Sequence, residues 1–146
     1  KGRLLRANIK PRLRMTTLYY SAQARNYLVL GTSNKSEITV GYSTKYGDSG
    51  VDLQILGDLL KRDVFELACY LDIPAAIINK PPSGGLWAGQ TDEEEMGLSY
   101  EELDDYILYH QGKPEIIERI DRLTKSSEHK RQMPPIALIS EALRQN

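Results

Sequence analysis

The chain has 146 residues, with 19 Lys and Arg against 20 Asp and Glu and a formal net charge of −1, a length that predicts one domain burying roughly 70% of its unfolded surface. Hydrophobic residues at 40% and charged residues at 27% exclude wholesale disorder and fibrous composition. The lone Cys69 excludes an intramolecular disulfide framework, and no apolar run approaches the roughly 18 residues of a membrane span.

No signal peptide opens the chain, so a cytoplasmic protein with no membrane partner is expected. The first residue is Lys1 rather than Met, which reads as the later part of something longer. The basic block Lys1, Arg3, Arg6, Lys10, Arg12 and Arg14 contains no acid. It is either a solvated face or an anion contact. With no aromatic residue interleaved before Tyr19 and Tyr20, a stacking nucleic-acid surface is poorly supported.

A first helix is expected from Asn8 as N-cap, with Pro11 tolerated in its first turn and Leu13, Thr17, Tyr20 and Ala24 at helical spacing. Tyr27-Leu28-Val29-Leu30, ending at Gly31-Thr32-Ser33, reads as a strand buried on both faces. A second helix covers residues 60–72, with Leu60, Val64, Leu67, Ala68 and Leu71 as its stripe and Pro74 after its end. Cys69, between Ala68 and Tyr70, then reads as a buried structural thiol. Ala75-Ala76-Ile77-Ile78 predicts a strand or edge piece, and residues 81–85 a loop.

The acids Asp92, Glu93, Glu94, Glu95, Glu101, Glu102, Asp104 and Asp105 read as a solvated face. Ser99 and Glu102 make a capping box with Leu98 and Leu103 as its staple, and Tyr100, Leu103, Ile107 and His110 share a face. Gly112 breaks that helix, and Pro114 starts another with Ile116, Ile117, Ile120, Leu123 and Thr124 on one side. Alternating helices and strands predict an α/β fold with a parallel sheet. With one or two strands legible, the sheet's neighbours are expected outside this chain.

Three polar stretches are candidates for chemistry. Gly31-Thr32-Ser33-Asn34-Lys35-Ser36-Glu37 follows a strand, where α/β sheets bind ligands, and Glu37 suits Mg²⁺. Equally, Ser33 or Asn34 caps a short helix with Glu37 on its surface. Thr44-Lys45-Tyr46-Gly47-Asp48-Ser49-Gly50-Val51-Asp52 is a lid or a turn supported by its own acids. Glu128-His129-Lys130-Arg131 reads more readily as a solvated cluster than as a site. No catalytic Ser/His/Asp order, zinc spacing or Walker A loop is present.

Taken in order, these stretches are similar to the NAD synthetase family. Lys61-Arg62, Pro82-Ser83 and the run from Gly97-Leu98-Ser99-Tyr100 through Asp104-Asp105-Tyr106 strengthen the resemblance, which covers residues 8–135. It implies a Rossmann-like parallel sheet of the adenine nucleotide α-hydrolase type, here as a C-terminal fragment with extra helices. Residues 1–146 would then be the C-terminal part of one synthetase domain, without its N-terminal ATP-loop part. The implied ligase reaction amidates deamido-NAD: ATP adenylates the nicotinate carboxylate, and ammonia, free or glutamine-derived, displaces AMP. A homodimer that binds neither nucleic acid nor membrane is also implied.

By match, Thr32, Lys61 and Ser83 would contact ATP and Glu37 would ligate Mg²⁺. Arg12, Lys45, Asp52, His129 and Lys130 would hold deamido-NAD, and Asp48 would lie near the reacting nicotinate. Asp48 and Lys61 would be the catalytic pair. Ser83 replaces the family's usual Thr, and Leu60 stands where many members carry Thr, so Asp58 is the expected cap there. The family's Ser-Gly-Gly-x-Asp-Ser ATP loop is absent, since Ser83-Gly84-Gly85 continues into Leu86-Trp87-Ala88. The isolated chain is therefore expected to have at most trace activity. The alternative is a non-catalytic nucleotide-binding or dimerisation fragment of the same fold.

Overall fold

The computed structural model describes residues 2–140; Lys1 of the basic block lies outside them, as does the side chain of Arg3. The chain begins with α1 (Gly2–Ala7) and α2 (Ile9–Gln23), then β1 (Leu30–Gly31), α3 (Lys35–Val40) and β2 (Leu53–Gln54). There follow α4 (Lys61–Tyr70), α5 (Ala75–Ile78), α6 (Asp92–Met96), α7 (Tyr100–Tyr109) and α8 (Pro114–Ser126), closed by a 3₁₀ turn over Glu128–Lys130. β1 and β2 are parallel, with Leu30 opposite Leu53 and Gly31 opposite Gln54. The fold is the expected mixture of helices and a parallel sheet, and β2 is a strand the sequence pattern did not reveal.

The core lies where α3, α7 and α8 meet. Val40, Met96, Leu98, Tyr100, Leu103 and Ile120 are buried there, with Tyr42, Ile107, Ile116 and Leu123 packed around them. The Ser99 capping box is present, with its hydroxyl accepting the Glu102 N–H and the Glu102 carboxylate accepting the Ser99 N–H. Leu103 is fully enclosed. Leu103→Ala is expected to cost about 3 kcal/mol, read as a lower urea midpoint at unchanged slope. A loss under about 1 kcal/mol would mean that this core closes over the gap.

Several expectations are corrected. Asn8 makes no side-chain cap; it follows α1 in helical geometry, and its Oδ1 instead accepts the Thr44 hydroxyl. On α2 the buried residues are Pro11 and Ala22, while Leu13, Thr17, Tyr20 and Ala24 are exposed. Strand geometry begins only at Leu30, and Tyr27, Leu28 and Leu30 are exposed because the two-stranded sheet leaves their sides uncovered. Cys69 is exposed rather than a core thiol, since no element among the described residues covers that side of α4. The residues 75–78 form a one-turn helix after Pro74, not a strand. His110 is the exposed left-handed C-cap of α7, so it does not share the buried face. The acidic block is not wholly solvated, because Asp92 and Asp104 are buried. Among the described residues no helix is long and apolar enough to cross a membrane.

Candidate functional site

The local structure of α3 fixes the first candidate residue. Asn34 is its N-cap, accepting the Glu37 N–H at 2.9 Å, while Glu37 Oε2 accepts the Asn34 N–H at 3.2 Å. This reciprocal cap bends Glu37 back over the helix start and presents its other oxygen to the Lys61 ammonium at 3.3 Å and the Tyr100 hydroxyl at 3.2 Å. The cap reading of this stretch holds for Asn34, but Glu37 is not a surface residue: its side chain is 16% exposed against 15% for Lys61.

Lys61 opens α4. Its ammonium lies 4.6 Å from the Tyr100 ring centroid and 6.0 Å from that of Phe65, a partly aromatic enclosure that favours a cation. Asp58 does not cap this helix; it pairs with Lys35 at 3.0 Å, and Leu60 occupies the cap position.

A relay of polar groups extends the wall beyond Glu37. The Tyr100 hydroxyl also meets Asp92 Oδ2 at 3.0 Å, and the Tyr42 hydroxyl meets Asp92 Oδ1 at 3.1 Å and Glu95 Oε2 at 2.8 Å. Gln90 Nε2 donates to Glu95 at 2.8 Å, and its Oε1 accepts the Leu86 N–H at 2.8 Å. Burial, then the neighbouring carboxylates, push both phenols far above the ordinary tyrosine range, so they stay hydroxyl donors. Sequence reasoning missed Tyr42, Gln90, Asp92 and Glu95; the Asp92 and Glu95 spacing, one helical turn apart, was the only local signal.

The second candidate stretch turns around Asp48, whose Oδ1 accepts the Thr44 N–H at 2.9 Å. Lys45 leaves this turn to donate to the His129 carbonyl at 2.7 Å and lies 3.3 Å from His129 Nδ1. The third stretch is tied to the C-terminal end of α3. Lys130 donates to the carbonyls of Gly41 and Ser43, each at 2.6 Å, and Arg131 to those of Ile38 and Thr39. Ile38 and Thr39 lie in the last turn of α3 and Gly41 is its C-cap, where the helix dipole favours cations. Burial lowers the Lys130 pKa, with Asp48 opposing the shift and Arg131 adding to it.

These pieces line one cavity of about 850 Å³. Its wall contains Thr32, Glu37, Lys61 and Ser83, and also Arg12, Lys45, Asp48, His129 and Lys130. Asp52 is not on the wall; its carboxylate accepts the Val29 N–H at 2.7 Å and the Tyr19 hydroxyl at 3.0 Å. Ser83 is exposed, and its hydroxyl accepts the Gly85 N–H at 3.1 Å. Among the described residues no three His, Cys, Asp or Glu side chains converge on a metal position. The donor set still fits Mg²⁺, which binds through one or two carboxylates completed by phosphate and water, and Glu37 stands on the wall as such a carboxylate.

Residues 1–134 match the family model described as NAD synthase. The chain is 69% identical over 144 residues to an NH(3)-dependent NAD(+) synthetase of Syntrophomonas wolfei, a match covering 99% of this chain and 58% of that protein. A structure of NMN synthetase from Francisella tularensis superposes with a TM-score of 0.88 at 45% identity, covering 95% of this chain and 57% of that one. The NH3-dependent NAD synthetase from Campylobacter jejuni gives 0.67 at 32% identity, covering 90% and 54%. The chain thus spans little more than half the length of the relatives it matches.

Proposed function

Because the chain belongs to the NAD synthase family, we propose that it is the C-terminal part of a synthetase that converts nicotinic acid adenine dinucleotide to NAD with ATP and ammonia. The observation that carries this reading is the single cavity lined both by the Glu37–Lys61 pair and by Lys45, His129 and Lys130. It gives a nucleotide triphosphate and a second anionic ligand adjoining walls.

In the first step a nicotinate carboxylate oxygen attacks the α-phosphorus of ATP, and pyrophosphate leaves. In the second, ammonia attacks the acyl carbon, gives up a proton, and AMP departs. Negative charge gathers on phosphate oxygens during the first step, where the Lys61 ammonium stabilises it. The Thr32 and Ser83 hydroxyls hold the nucleotide. Arg12, Lys45, His129 and Lys130 hold the dinucleotide substrate, and Asp48 is the acid beside its reacting end. Glu37 would hold Mg²⁺, which when bound neutralises phosphate charge. The relatives are NH3-dependent synthetases, which supports free ammonia as the nitrogen source. The exposed Leu13, Leu18 and Tyr20 of α2 support assembly as a homodimer.

The closeness to an NMN synthetase structure favours one second reading, amidation of nicotinic acid mononucleotide. The test supplies the full-length protein with ATP, Mg²⁺, ammonia and each nicotinate substrate in turn. NAD formed in equal amount with AMP is the expected result, and a higher kcat/KM for the mononucleotide would select the second reading. Amidation of neither would sink both. The isolated chain, lacking Ser-Gly-Gly-x-Asp-Ser, is expected to turn over at trace rates at most.

A further inference from the structure

The amino end of α4 carries Lys61, yet the segment brings no hydroxyl or amide of its own to the cap. Asp63 accepts the Leu60 N–H at 2.8 Å, but the next two amides are received by distant residues. The Lys61 N–H donates to Ser36 Oγ at 3.0 Å, and the Arg62 N–H to Asp104 Oδ2 at 2.9 Å. Ser36 in turn donates its hydroxyl to Asp104 Oδ1 at 2.5 Å. Ser36 and Asp104 are 0% and 1% exposed, and neither lines the cavity.

We propose that Asp104 is a positioning residue for Lys61: its buried carboxylate, with Ser36, closes the start of α4 from α7 and α3 and so sets where the ammonium stands against Glu37. This rests on the reading of Lys61 as the phosphate-facing cation. The chemistry calls for a carboxylate, because every group turned toward it is a donor. Those donors are the Ser36 hydroxyl, the Arg62 amide and, at 3.5 Å, Arg62 Nε. The positive end of the helix adds to them. An asparagine can face Arg62 with its oxygen only by turning its NH₂ to Ser36, which strands a buried hydroxyl proton. The arrangement joins α3, α4 and α7 at one side chain, and α3 is also the helix that carries Glu37.

The test compares Asp104→Asn and Ser36→Ala in the full-length protein. Exchanging a charged acceptor for a neutral one weakens a hydrogen bond by about 1 kcal/mol, which predicts roughly five- to tenfold faster amide exchange at Arg62 and, through the displaced Ser36, at Lys61 in Asp104→Asn. In Ser36→Ala the same acceleration is expected at Lys61 alone, a milder variant should the first not fold. The rest of α4 keeps its protection. Displacing the ammonium should lower kcat by about ten- to 100-fold in Asp104→Asn. In a Lys61→Ala background the same change should alter kcat by less than about twofold, although the melting temperature falls equally in both. Unchanged exchange at Lys61 and Arg62, or the same kcat factor in both backgrounds, overturns the proposal. If the unaltered protein amidates neither substrate, the functional reading fails instead, and amide exchange still decides whether Asp104 fixes α4.

Discussion

Lys61→Ala in the full-length protein is expected to lower kcat/KM for ATP by roughly 100- to 1,000-fold, the effect of deleting one preorganised group from a site of developing charge. The ammonium sits between Glu37 and the Tyr100 ring, and no other described cation pairs with Glu37. Lys61→Arg should recover little, because a planar guanidinium does not fill the place of a compact ammonium against one carboxylate and a ring. Folding should suffer far less than rate. The α4 start is held through the backbone amides of Lys61 and Arg62, which the substitution leaves in place. Steady-state kinetics with varied ATP, beside a thermal melt, separates the two effects. Activity within about tenfold of the unaltered protein would remove Lys61 from the phosphate-stabilising role.

What the sequence made legible was local. The Ser99–Glu102 box, the start of α8 at Pro114 and the α/β alternation follow from short-range rules, and each is found. Patterning identified apolar segments but not their cover. Tyr27, Leu28, Leu30 and Cys69 read as buried, yet each lies on a side that no described element covers, and of that run Val29 alone is enclosed. The polar half of the site failed for the opposite reason. Asp92 and Asp104 sit in a run of acids that resembles a solvated face. Their partners, Tyr42 for one and Ser36 for the other, are 50 and 68 residues away. Family resemblance supplied Thr32, Glu37, Lys45, Lys61 and His129, which the fold gathers on one wall. It gave no role to Tyr42, Tyr100 or Asp104, whose bonds run to Asp92 and Glu95, to Glu37 and Asp92, and to Ser36 and the Arg62 amide.

Gly41→Ala joins the fold to the site most directly. Gly41 ends α3 at φ +64°, and a Cβ placed there would overlap Ser127, which is buried at 5% exposure. The left-handed backbone costs an L residue about 1–2 kcal/mol, and forcing a methyl into packed surroundings adds about 1–3 kcal/mol. Together these predict a fall in melting temperature of about 10 °C. Gly89→Ala provides the control: φ is +74° there and the space around it is open, so only the backbone cost applies.

The overlap has a direction. Ser127 leads into the 3₁₀ turn Glu128–Lys130, and the Lys130 ammonium is held by the Gly41 and Ser43 carbonyls. Pushing the turn outward moves Lys130 and His129 off the wall while leaving the Lys61–Glu37 pair in place. The KM for the nicotinate substrate should therefore rise about tenfold, as when one bound polar group loses its partner, with the KM for ATP nearly unchanged. Ser127→Gly in the same chain removes the obstructing side chain. It should recover part of the stability, a coupling of about 1–3 kcal/mol between the two positions. Equal melting losses for Gly41→Ala and Gly89→Ala, or a parallel rise in both KM values, would refute this account of how α3 seats the His129–Lys130 turn.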